Sequence, residues 1–226
     1  VSPKRRKALA FAGVGAAVFA LCTHWAGDDG AQAVESRVFH AVNGLPNWLY
    51  PVLWGPMQLG NLVVGAVVAL LVAVVGRRPK VAVAVLAAVG LKLVVEKVLR
   101  QQLADQLLEH RQRPGTLQTD AILRGGDVPH VGSSFPSGHV ILVAALAAVL
   151  TPLLPRRWAD LPWVFVGLVA FGRVYVGAHN PLDVVAGGAI GLSVGAALDA
   201  VLGEEHLAWS EGSAPRVREY LAEHGR

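Results

Sequence analysis

The chain is short of charge and nearly without cysteine. Only 16% of its 226 residues are Asp, Glu, Lys or Arg, and 54% are apolar, whereas an ordinary soluble domain carries about 25% charged and about 45–50% apolar residues. That imbalance excludes a soluble globular domain and points to a membrane. The single cysteine, Cys22, excludes an internal disulfide and a thiolate metal site. Charge of either sign is also scarce in excess: 20 Lys and Arg against 16 Asp and Glu leave +4, too little to mark a nucleic-acid partner. No internal repeat or low-complexity linker interrupts residues 1–226, so one domain is expected.

What the chain has in plenty is long apolar runs. A membrane-crossing helix needs roughly 20 mostly apolar residues, and six windows meet that description, at about 8–23, 54–75, 81–99, 137–154, 158–176 and 181–202. The predicted fold class is therefore all-α, a polytopic membrane protein of six transmembrane helices. Lys92, Glu96 and Lys97 make the end of the third window polar. Basic clusters orient the bundle, because Lys and Arg are held on the cytoplasmic side. Lys4, Arg5, Arg6 and Lys7 precede the first window, and Arg77, Arg78 and Lys80 separate the second and third. Arg156 and Arg157 separate the fourth and fifth, and Arg216 and Arg218 follow the sixth. All four clusters fall on one face, which puts both termini in the cytoplasm. Residues 24–53, 100–136 and 177–181 then face the other side, and 203–226 form a cytoplasmic tail.

The basic start and first apolar run also resemble a secretory leader, with Ala31 and Ala33 imitating its cleavage site. Those alanines lie far beyond the run, and a first span is the reading adopted. Trp25, Trp48, Trp54, Trp158 and Trp163 lie near window ends, where indole rings favour the headgroup level. Between Ala31 and Asn43, Val34, Val38, Phe39 and Val42 recur at helical spacing with Glu35, Ser36 and Arg37 among them. This predicts a short interfacial helix, which either shapes a lipid entrance or packs on the bundle rim.

Three polar groups gather at the non-cytoplasmic end, where such residues are expensive unless used. They are Arg113-Pro114, the run Pro136-Ser137-Gly138-His139 that opens the fourth window, and Arg173, His179 and Asp183 across the turn between the fifth and sixth. Two arginines offer planar forks for phosphate oxygens. A helix starting at Ser137 offers free backbone donors. Histidine can attack or donate a proton near neutral pH, and His179 and Asp183, four apart, share a helix face. His139 then remains as an acid for the leaving oxygen.

These residues resemble two motifs of the type 2 phosphatidic acid phosphatase (PAP2) superfamily, Pro-Ser-Gly-His and Arg, five residues, His, three residues, Asp. The resemblance implies that His179 attacks phosphorus to give a phosphohistidine, that Asp183 orients it, and that His139 is the general acid. Arg113, Ser137, Gly138 and Arg173 would hold the phosphate. It further implies no metal and no cofactor, a lipid phosphate or diphosphate as substrate, vanadate as a mimic of the transition state, and a bacterial plasma membrane as the location. The alternatives are a phosphotransferase of the same fold, or a transporter or silent partner.

Two departures stand out. The third motif normally begins with serine, and Gly172 occupies that place. The first normally places a lysine seven residues before its arginine, where this chain has Gln106. On an unbroken helix Lys97 would lie roughly 24 Å from Arg113, and Lys92 farther. Either the segment from Arg100 to Arg111 turns back and returns a lysine to the site, with Lys97 placed ahead of Lys92, or Gln106, Arg111 or Arg100 substitutes. The triplet Gly187, Gly191 and Gly195 predicts close helix packing within the bundle.

Overall fold

The computed structural model describes residues 2–107, 111–118, 120–126 and 128–202, with the side chains of residues 100 and 103–107 left aside. The expected cytoplasmic tail, the Gln106 side chain and His110 lie outside the described residues. Within them the chain is helical: α1 (Pro3–Ala26), α2 (Asp29–Asn43), α3 (Leu49–Met57), α4 (Leu62–Val75), α5 (Pro79–Leu107), the single turn α6 (Pro114–Leu117), α7 (Gly138–Leu150), α8 (Leu161–Tyr175) and α9 (Pro181–Leu202). Among the described residues, extended pairing is limited to one antiparallel bridge, Gln112 with Ser133.

Local chemistry sets the boundaries. Ser2 caps α1 by accepting from the Arg5 N–H, with Pro3 at the first helical position. Asp28 caps α2 through the Ala31 N–H at 2.7 Å. The second expected span is corrected by the structure: it is broken, and α3 and α4 meet at 72°. Asn61 is the cause, since its extended backbone ends one helix while its side chain accepts from the Val63 and Val64 N–H groups and starts the next.

Among the described residues two helices, α1 and α9, are individually long and apolar enough to cross a membrane, and α3 with α4 makes a third if the bent pair is one span. At 13 and 15 residues, α7 and α8 reach roughly 20 and 22 Å, short of a hydrocarbon core about 30 Å thick. α5 overshoots its expected end and runs to Leu107, roughly 44 Å in all.

Packing is inverted relative to a water-soluble bundle. On α4 the small residues Gly65, Ala69 and Ala73 are buried while Val63, Val67, Leu71 and Val75 are exposed, which suits lipid outside and close backbone approach inside. α7 lies at the centre, and its residues Val140 to Ala147 are all buried. The glycine triplet of α9 packs on it as expected. A Cβ on Gly187, Gly191 or Gly195 would come within 2.7, 2.5 or 2.8 Å of the carbonyl oxygens of Ser137, Ile141 and Ala145. This contact brings the start of α9 against the start of α7, where Ser137 N–H donates to the Asp183 carbonyl at 3.0 Å.

Candidate active site

The chain after α5 returns over the end of the bundle and clasps itself. Arg113 N–H donates to the Gly132 carbonyl, and Ser134 N–H to that of Arg111. This clasp carries Arg111, Arg113 and Ser134 onto the turn between α8 and α9. Asn43 and Arg124 hold it there. The Asn43 amide bridges Ile122 and the Tyr175 carbonyl, and Arg124 donates to the carbonyls of Asn43, Leu45 and Tyr175 with its guanidinium over the Tyr175 ring. At the turn itself Gly177 adopts φ +78°, a conformation that glycine takes without a Cβ penalty. The Arg173 carbonyl then receives the Ala178 and His179 N–H groups.

His179 is buried between two partners of opposite character. Its Nδ1 lies 2.9 Å from the Ser134 carbonyl oxygen, which can only accept, and its Nε2 lies 3.1 Å from Nη1 of Arg113, which can only donate. Both contacts require the same tautomer, with the proton on Nδ1 and the lone pair on Nε2. Burial, opposed by Asp183 and reinforced by Arg113, pushes the His179 pKa down to about 4, so the ring is neutral at physiological pH. Asp183, expected to orient this ring directly, stands 3.7 Å from Nδ1. One of its oxygens accepts from the Asn180 N–H at 2.8 Å and the other is held by Arg111.

The remaining motif residues converge on the same place. Ser137 is fully buried and its Oγ has no hydrogen-bond partner, an arrangement that costs free energy unless a ligand supplies the bond. The cations Arg173, Lys92 and Arg113 all lie within electrostatic reach of His139. His139 and Arg173 line one pocket with Tyr50, Gln58 and Asn61. The break between α3 and α4 lies against His139, since a Cβ on Gly60 would come 2.8 Å from its Cβ. Among the described residues, no group of three or more His, Cys, Asp or Glu is arranged to hold a metal.

The lysine is where the structure departs most from expectation. Lys97 is exposed, whereas Lys92 is buried and pairs with Glu96 at 2.5 Å. The Glu96 carboxylate lies against Gly138, 2.4 Å from where a Cβ would stand. The long α5 therefore passes the site at Lys92 and Glu96 and continues beyond it, and the chain turns back to deliver Arg113. Gly172 also has a reason to be glycine: a Cβ there would meet Met57 Cγ at 2.6 Å.

Two further buried charges join the site: Arg111, which the sequence offers only as one of three substitutes for the lysine, and Glu35, to which it assigns no role. Glu35 of α2 and Arg111 form an ion pair through both guanidinium nitrogens. Burial works against the Arg111 charge, but Asp183 and Glu35 outweigh it and raise its pKa above the ordinary arginine value. The buried face of α2 is Glu35, Phe39 and Asn43, while Val34 and Val38 point outward.

The model of the PAP2 superfamily matches residues 62–204. The chain belongs to this superfamily. A stretch of 58 residues is 43% identical to the undecaprenyl-diphosphatase of Sulfolobus acidocaldarius, covering 26% of this chain and 28% of that protein. Another of 96 residues is 38% identical to the decaprenylphosphoryl-5-phosphoribose phosphatase of Mycobacterium tuberculosis, covering 42% and 50%. The chain thus spans half or less of the length of these curated relatives. Two crystal structures share its fold. Aquifex aeolicus LpxE superimposes with a TM-score of 0.62 at 24% identity over 72% of this chain and 92% of that one. A PAP2-type phosphatidylglycerolphosphate phosphatase from Bacillus subtilis gives 0.65 at 23% over 82% and 94%.

Proposed function

We propose that this PAP2 protein hydrolyses a lipid phosphate or diphosphate through a phosphohistidine on His179, at the non-cytoplasmic face of a six-span bundle. The observation that carries the reading is the tautomer of His179. With Nδ1–H tied to the Ser134 carbonyl, the Nε2 lone pair faces Arg113, where a phosphate oxygen would be held.

In the first step Nε2 forms a bond to phosphorus while the bond from phosphorus to the lipid oxygen breaks. His139 gives its proton to that departing oxygen. Arg113, Arg173, Lys92, the Ser137 hydroxyl and the N–H groups opening α7 hold the equatorial oxygens, stabilising charge as it develops. In the second step water attacks phosphorus, the P–N bond breaks, and His139 accepts the water proton. Free phosphate leaves and His179 is restored. Phosphoryl transfer of this kind is positioning plus electrostatics, and the arginines supply both.

The reading of sidedness draws support from the opposite end of the bundle, where Lys4 and Lys7 gather with Thr151 and Asp160 around one groove. For the substrate we favour a polyprenyl carrier, on the names of the two curated relatives, undecaprenyl-diphosphatase and decaprenylphosphoryl-5-phosphoribose phosphatase. The test is phosphate release by detergent-purified protein, with EDTA present, from polyprenyl and glycerolipid phosphates. Release that persists in EDTA and vanishes in His179→Ala is the expected result. Equal release by His179→Ala would overturn the mechanism.

A further inference from the structure

At a position that no motif of the family specifies, Arg111 is almost wholly enclosed, at 1% exposure, between two carboxylates. Both of its terminal nitrogens reach Glu35, and Nη2 also reaches Asp183 Oδ1. Glu35 Oε1 accepts in addition from the Leu182 N–H at 2.6 Å, in the first turn of α9. Arg111 meets His179 a second way, because its carbonyl accepts from both the N–H and the Oγ of Ser134, the residue whose own carbonyl holds His179 Nδ1. One residue therefore reaches both supports of the imidazole, Asp183 through its guanidinium and Ser134 through its main-chain carbonyl.

Charge arithmetic gives Glu35 its role. When His179 bonds to phosphorus its ring becomes cationic, and the Asp183 carboxylate 3.7 Å away is the nearest recorded acidic group that can stabilise it. Arg111 alone would cancel that carboxylate. With Glu35 present the cluster holds two carboxylates and one guanidinium, so one negative charge remains to face the ring in a site where burial weakens screening.

We infer that Glu35 and Arg111 are positioning residues for the phosphohistidine step: Arg111 fixes Asp183 and Ser134 around His179, and Glu35 offsets the Arg111 charge so that Asp183 keeps its effect. This rests on the phosphohistidine reading above. It makes the interfacial helix α2 part of the catalytic apparatus, although α2 carries no group that touches the phosphate.

The test compares Glu35→Gln, Glu35→Asp and Arg111→Lys in the full-length protein, with His179→Ala alongside. Glu35→Gln keeps the shape and the Leu182 hydrogen bond but removes the charge. It should lower kcat roughly tenfold to a hundredfold, the range seen for partners that orient a ligating histidine, and leave KM within about threefold. Inhibition by vanadate, which takes the transition-state geometry on His179, should weaken by the same factor, while inhibition by inorganic phosphate stays put. Glu35→Asp, which retains the charge, should recover most of the loss. Should Glu35→Gln fail to fold, Glu35→Asp against Arg111→Lys reads the same split between vanadate and phosphate. Equal losses in Glu35→Gln and Glu35→Asp, or parallel weakening of vanadate and phosphate, would reduce the pair to a structural tie and overturn the inference. Full activity of His179→Ala would instead sink the phosphohistidine reading itself.

Discussion

Replacing Lys92 by methionine removes a cation from beside the proposed phosphate cradle with little change in volume. The Lys92 and Glu96 side chains are 11% and 18% exposed and 2.5 Å apart, and Glu96 abuts Gly138 at the start of α7. Losing one preorganised group that stabilises a developing oxyanion costs about 2.7–4 kcal/mol, or roughly a hundredfold to a thousandfold in rate. The Lys92→Met variant should fall in that range, because it both loses a positive charge and leaves the Glu96 carboxylate uncompensated by Lys92 near an incoming anion. Lys92→Met with Glu96→Gln should therefore recover part of the loss. Lys97→Met, on the exposed side of the same helix, should stay within about threefold of the parent. The assay is steady-state phosphate release from a polyprenyl diphosphate in detergent micelles with EDTA, with thermal midpoints measured on each variant to separate folding from chemistry. A Lys97→Met loss as deep as that of Lys92→Met, or a Lys92→Met rate within threefold of the parent, would refute the placement of Lys92 in the site.

Four further outcomes follow from the geometry. Gly191→Ala would drive a methyl group to 2.5 Å from the Ile141 carbonyl and should destabilise the bundle by about 1–3 kcal/mol, read as a lowered thermal midpoint. Gly90→Ala, with nothing within 4 Å of its added methyl on the exposed side of α5, should be neutral or stabilising by about 0.5–1 kcal/mol. Gly172→Ser restores the family's serine but meets Met57 at 2.6 Å, so it should lower the midpoint unless Met57→Ala is added, which should restore it. As the proposed nucleophile His179 must act unprotonated, and burial has lowered its pKa to about 4, so the acid limb of kcat/KM, corrected for substrate ionisation, should lie near pH 4 instead of at the ordinary histidine value of about 6.5. An enzyme limb at 6.5 in that profile would contradict the buried, neutral ring.

Legibility from sequence follows the range of the interaction. Ser137, Gly138 and His139 are consecutive, and Arg173, His179 and Asp183 lie within eleven positions, so a helix start and one tight turn suffice to assemble them. The packing of the α9 glycines was equally visible, because their period of four is the period of a helix face. The break between α3 and α4 was missed for a different reason: hydropathy does not change across Asn61, and a single side chain that caps as well as breaks is lost in a window of twenty residues. Linear distance along α5 to Arg113 puts Lys97 ahead of Lys92. The missing fact was that α5 runs on past the site before the chain turns back, so linear distance along the helix carries no information about separation in space.

Glu35 and Arg111 are separated by 76 residues, and Arg111 and Asp183 by 72, so no spacing rule joins them. A signal was nonetheless present. Positions 35, 39 and 43 share one helix face, and Phe39 with Asn43 marks that face as the one turned inward, since Asn43 satisfies three hydrogen bonds there. A carboxylate on an inward face demands a cation, because an uncompensated buried charge costs several kcal/mol. The basic residue just before Arg113-Pro114 was the available partner. Apolar periodicity alone draws attention to Val34 and Val38, which point outward; lipid rewards apolar residues on the outside of a bundle, so the polar face of α2 is the one to search for the site.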